Sequence, residues 1–87
     1  MTTAQIRQAI LQILADVAPH ALPLSQLFAA INRQVRPPIA DPRSLHEHMS
    51  ELLDMRYVDF LADEMDPNDG DLNRWLIKEA GQSYLLR

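Results

Sequence analysis

Apolar residues recur at helical spacing in three separate segments of the chain. In the first segment this spacing predicts a helix from Thr2 or Thr3 to about Val17, because apolar residues three and four apart share one face. The residues expected on its buried stripe are Ile6, Ile10, Ile13, Leu14 and Val17. Leu11 lies away from this stripe, so it is expected on the surface.

A second helix is predicted to start at Leu24 or Ser25, after a connector bracketed by Pro19 and Pro23. Its expected buried face comprises Leu24, Leu27, Phe28 and Ile31. A third helix is predicted from Asp41-Pro42 to about Met55 or Arg56, since Asp favours the N-cap and Pro the first helical position. Its apolar positions are Leu45, Met49, Leu52, Leu53 and Met55.

Two strands are predicted after the third helix, at Val58–Ala62 and Asn73–Ile77, separated by the turn Asp66–Gly70. In the first strand Val58, Phe60 and Ala62 are expected to face inward, and in the second Trp75 and Ile77 alternate similarly. Residues 21–24 are expected to form a short strand or an extended piece. Gly81 limits the last helix to a short one. The pattern therefore predicts one α+β domain over residues 1–87, mostly helical.

Two segments, LHEHMSELLDMRYV and RWLIKEAGQSYL, resemble the winged helix-turn-helix superfamily, in particular small bacterial or phage transcriptional regulators. The resemblance implies a three-helix core, a two-stranded antiparallel wing and a short C-terminal helix. It also implies that the helix at about 42–56 reads the major groove of double-stranded DNA. Two features depart from the family: Arg56 stands where a Gly usually ends this helix, and the wing tip EMDPNDGD has no Lys or Arg.

On this interpretation the exposed positions near the start of the third helix are candidates for reading bases, since Arg, Ser and Glu side chains can bond base edges. These candidates are Arg43, Ser44, His46, Glu47 and Ser50. Candidates for phosphate contacts are Arg33, Arg36 and Arg74. The alternative interpretation is that all of them are solvated polar residues, and that Arg74 pairs with a nearby acid.

Charge favours a second hypothesis, in which the domain binds a basic protein or serves in assembly. The net charge is −4, and residues 44–87 hold ten of the twelve acidic residues. DNA-binding faces are usually basic. The acidic interaction face would comprise Asp63, Glu64, Asp66, Asp69 and Asp71. The resemblance also favours a homodimer through the first and last helices, with Leu11, Tyr84, Leu85 and Leu86 as its candidate face.

Other classes of function find no support in the sequence. No Cys is present, and His46 and His48 are two residues apart on a helix, so they point to different faces and cannot easily share a metal ion. The turn DPNDGD lacks the Glu that completes an EF-hand loop. No nucleotide-binding loop or catalytic arrangement appears, so neither an enzyme nor a cofactor is expected. No apolar run is long enough to span a membrane, and the chain is expected to be cytoplasmic.

Overall fold

The computed structural model describes residues 3–35, 39, 41–66, 68–69 and 72–86. Across these residues the chain forms four helices and a three-stranded antiparallel sheet, so the predicted α+β class with mostly helical content is confirmed. In chain order the elements are α1 (Thr3–Val17), β1 (Leu22–Pro23), α2 (Leu24–Gln34), α3 (Pro42–Asp54), β2 (Val58–Leu61), β3 (Arg74–Ile77) and α4 (Glu79–Leu85).

One apolar core joins the helices to the sheet. α1 packs against α2, α4 and β3, while α3 packs against α2 and β2. The buried side chains are Ile10, Leu11, Ile13, Leu14, Leu24, Leu27, Ile31, Val35, Leu45, Met49, Leu52, Val58, Trp75 and Ile77. Most of these were predicted from helical spacing, although Ile6, Val17 and Phe28 are only partly buried.

The sheet has the order β1-β3-β2, with β3 in the centre. The predicted hairpin is confirmed, with Val58 opposite Ile77 and Phe60 opposite Trp75. The short extended piece is also confirmed as a strand, because β1 pairs with the far edge of β3 and Leu22 lies opposite Trp75. The sheet therefore ties the connector between α1 and α2 to the hairpin that follows α3.

The start of α3 is fixed by two sets of hydrogen bonds. The backbone N–H of Ser44 donates to Oδ1 of Asp41 at 3.0 Å, which confirms the predicted N-cap, and Pro42 is the first helical residue. Upstream, the N–H of Ile39 donates to Oδ1 of Asn32 at 2.8 Å, and Nδ2 of Asn32 donates back to the Ile39 carbonyl at 3.4 Å. The second pair ties the connector to α2 just before α3 begins.

The end of α3 is a Schellman motif built without glycine. The N–H of Tyr57 donates to the carbonyl of Leu52 at 3.0 Å, and the N–H of Arg56 donates to that of Leu53 at 3.0 Å. Arg56 has φ 64°, the left-handed conformation that glycine usually supplies at this position. The helix turns sharply into β2 at the cost of backbone strain in Arg56.

Two expectations about exposure are wrong. Leu11 is fully buried, because α1 is covered on more than one side, by α2, β3 and α4. Phe60 remains 38% exposed and Ala62 is exposed, because β2 is an edge strand and only its first residue, Val58, is buried. The hairpin therefore extends beyond the core as it leaves the helices.

Candidate functional site

α3 presents one stripe of side chains away from the core. Its buried face is formed by Leu45, Met49 and Leu52. The opposite side carries Arg43, Glu47, Ser50 and Asp54, which follow one another at helical spacing. Three of these side chains are exposed and Ser50 is half-buried. We call these four residues the outer stripe of α3.

The structure therefore brings three of the five candidate base readers together, on the outer stripe, and leaves two on its flanks. The ring of His46 meets Trp75 edge-on, with centroids 6.2 Å apart, so it faces the sheet. Ser44 is half-buried beside the Asp41 cap. Helical spacing puts it on the opposite flank, the side of Glu51. Long-range packing against Trp75 could not be foreseen from the α3 sequence.

An ion pair joins α3 to α1 on that second flank. Nη2 of Arg7 contacts Oε2 of Glu51. The neighbouring His48 is half-buried, and its burial, together with the positive charge of Arg7, lowers its pKa below the usual 6.5, while Glu47 acts in the opposite direction. This flank is therefore occupied by interhelical contacts, and the outer stripe is the part of α3 left free to meet a partner.

The charge of the outer stripe is slightly acidic, since it has one cation, Arg43, against Glu47 and Asp54. Two of the candidates for phosphate contact are exposed on other elements: Arg33 in the last turn of α2 and Arg74 at the start of β3. Arg36, the remaining candidate for phosphate contact, lies outside the described residues. Arg43, Arg33 and Arg74 therefore belong to three different elements, α3, α2 and β3.

The loop between β2 and β3 carries the predicted acidic face. Glu64 and Asp66 are exposed, while Asp63 and Asp69 are half-buried; Asp71 lies outside the described residues. Oδ1 of Asp63 accepts a hydrogen bond from the N–H of Met65 at 2.7 Å. Part of the predicted turn is confirmed as well, because the N–H of Asp69 donates to the carbonyl of Asp66 at 3.2 Å.

The same hairpin exposes apolar side chains, which the sequence reasoning missed. Phe60 is 38% exposed, Leu61 50%, Leu72 42% and Met65 93%. The signal in the sequence is that Met65 and Leu72 alternate with acids in a segment too polar to be a core strand. Met65, Leu72 and Pro23 line an open groove of about 520 Å³, with Asp63, Glu64 and Arg74 around it.

The candidate dimer face is only partly on the surface. Leu11 is buried and cannot contribute, which corrects its assignment to this face. Tyr84 and Leu85 pack partly on the core, and the ring of Tyr84 lies 5.2 Å from that of Tyr57. Leu86 is 88% exposed. Of the four predicted residues, Leu86 alone is largely free to meet a second copy.

The described residues contain no group of three or more His, Asp or Glu side chains arranged to hold a metal ion. None of the helices that the structure describes has the length and apolar character to cross a bilayer. Comparison with protein-family models, with curated proteins and with solved structures finds no match to this chain.

Proposed function

We propose that this chain is a winged helix-turn-helix domain that binds double-stranded DNA by inserting α3 into the major groove. The observation that carries the proposal is the outer stripe of α3, a helix of 13 residues whose outward side is left uncovered by the other described elements. The order of elements supports it, since three helices followed by the antiparallel β2–β3 hairpin and the short α4 is the order that the resemblance implies.

The length of α3 and the side chains it exposes suit insertion into the major groove. A helix of 13 residues is roughly 20 Å long, and an α-helix fits the width of the major groove. Arg43 lies in its first turn, where recognition helices usually meet base edges, and can donate to guanine. Glu47 can accept from cytosine, and the Ser50 hydroxyl can pair with either a donor or an acceptor. Arg33 would supply a phosphate contact, whereas Arg74 lines a groove together with Asp63 and Glu64 and is not assigned one.

The net charge of the chain predicts that a single copy binds DNA weakly. Each phosphate contact releases counterions and adds affinity, but the chain has a net charge of −4 and few exposed cations near α3. A second copy bound to an adjacent half-site would raise the effective concentration of the first. We therefore propose that DNA binding uses a homodimer, with Leu86 and the exposed parts of Tyr84 and Leu85 as the candidate contact.

The test is a fluorescence-anisotropy titration of the chain against mixed-sequence duplex DNA, from about 20 mM to about 200 mM salt. We expect the chain to bind, and the logarithm of its association constant to fall linearly with the logarithm of the salt concentration. Arg43→Glu should abolish it, whereas Lys78→Glu makes the same charge change at an exposed position just before α4 and should preserve most of it. Absence of binding at the lowest salt, or equal losses in the two variants, would contradict the proposal.

A second candidate function is the binding of a basic protein. It is favoured by a specific observation, the combination of acids and exposed apolar side chains on the β2–β3 hairpin. Charge reversal separates the two candidates. If Asp66→Lys with Asp69→Lys destroys partner binding while Arg43→Glu leaves it intact, the domain binds protein rather than DNA.

A further inference from the structure

We propose that the groove beside the β2–β3 loop docks a short segment of a partner protein that carries Lys or Arg next to apolar side chains. The groove is bounded by Met65 and Leu72 on the hairpin side and by Pro23 at the start of α2. Asp63 and Glu64 line it as well. This inference rests on the second candidate function, and it specifies where the partner binds and what chemistry the partner brings.

Met65 and Leu72 give the groove its apolar surface. Met65 is 93% exposed and Leu72 42%, so both leave apolar surface in water that a partner would cover. An unbranched Met side chain adapts to differently shaped apolar partners. Leu61, 50% exposed on the adjoining strand, extends the apolar surface of the hairpin.

The position of Met65 is held by the chain itself. The N–H of Met65 donates to Oδ1 of Asp63 at 2.7 Å, a local turn that Asp side chains commonly stabilise. Asp63 thus has two roles: it fixes the backbone that presents Met65, and it contributes negative charge to the groove. An apolar side chain held outward beside an acid is a surface suited to a partner that is both apolar and cationic.

Charge complementarity selects the occupant. Asp63, Glu64, Asp66 and Asp69 lie on the loop, and Arg74 is the cation that lines the groove. A nucleic acid would be repelled by this surface, and so would the acidic face of a second copy, since the chain has a net charge of −4. A segment with Lys or Arg would be attracted, and its apolar residues would cover Met65 and Leu72.

The test uses the full chain, labelled with ¹⁵N, and an end-blocked hexapeptide of alternating Lys and Leu. The control peptide alternates Glu and Leu, which keeps the apolar content and reverses the charge. We expect the basic peptide to shift the amide signals of Met65, Leu72 and their neighbours, and the acidic peptide to have no effect. Equal binding of the two peptides, or no shift at millimolar concentration, would overturn the proposal.

Substitutions in the groove, each compared with the same substitution elsewhere in the chain, test where the peptide binds. Met65→Ser should lower the affinity for the basic peptide about tenfold. Met55→Ser, at a 42%-exposed methionine after α3, should leave that affinity unchanged. Glu64→Lys should abolish binding, and Glu79→Lys, the same change at an exposed residue of α4, should not. If the peptide shifts the outer stripe of α3 instead, the groove proposal fails while the basic-partner function survives. If no signal moves, both fail.

Discussion

Gly81 of α4 lies directly against the backbone carbonyl of Tyr57, which leads from α3 into β2. A β-carbon at position 81 would overlap that oxygen and would approach Cγ1 of Ile77 to 2.8 Å. The same carbonyl accepts the N–H of Lys78 at 2.9 Å, so it cannot move away without losing a hydrogen bond. Glycine is therefore required here for close packing of α4, although its backbone conformation is ordinary.

Replacing Gly81 with Ala should destabilise the fold. The added methyl group must displace backbone rather than a flexible side chain, so we expect a loss of about 1–3 kcal/mol in the free energy of unfolding. Urea denaturation followed by circular dichroism measures it. Ser83→Ala, at an exposed position of the same helix, should change stability by less than about 0.5 kcal/mol. Equal stability of Gly81→Ala and the wild type would show that α4 is not packed as closely as described.

Arg56→Gly should stabilise the domain. Arg56 has φ 64°, and this left-handed conformation costs a residue with a β-carbon roughly 1–2 kcal/mol. Glycine avoids that strain, but it loses more conformational entropy on folding, which offsets part of the gain. We expect a net gain of about 0.5–1 kcal/mol. Arg56→Ala removes the same charge but keeps the β-carbon, so it should not reproduce the gain. A gain in both variants would assign the effect to charge instead of strain.

Acidification should destabilise the fold through His48. Its folded-state pKa lies below 6.5 because of burial and the charge of Arg7, so the unfolded chain takes up the proton first. The stability associated with His48 is present above pH 6.5 and is lost as the pH falls from there toward the lowered pKa. The melting temperature of the wild type should therefore fall as the pH is lowered from neutral through 6.5. His48→Gln should show a smaller drop, and an identical drop would contradict this assignment.

The elements of the fold were predictable because their signals are local. Helical spacing gave the three long helices, Asp41-Pro42 gave the start of α3, and the turn after Asp66 gave the hairpin. Leu11 was assigned to the wrong environment because a single-stripe argument assumes one packing face, whereas α1 meets α2, β3 and α4. Leu11 lies four residues after Arg7 and three before Leu14, so the three residues share one side of α1. That spacing is the sequence signal of the second packing face.

The candidate site was predictable only in part, since it depends on long-range packing. Helical spacing alone groups Arg43 with Glu47 and Ser50. The contact between His46 and Trp75 joins α3 to β3, and no local pattern predicts it. Strand alternation failed at Phe60 because it assumes that the whole strand covers the core, whereas the edge strand β2 leaves it after Val58.

The most direct test of the central claim, that α3 reads DNA, is to map DNA binding on the ¹⁵N-labelled chain by NMR at low salt. Titration with a mixed-sequence duplex should shift the amides of Arg43, Glu47 and Ser50 most strongly and leave Asp63 to Asp66 unchanged. Shifts confined to other elements, or none at all while a basic peptide moves the signals of the hairpin, would contradict the DNA proposal and assign the domain to protein recognition.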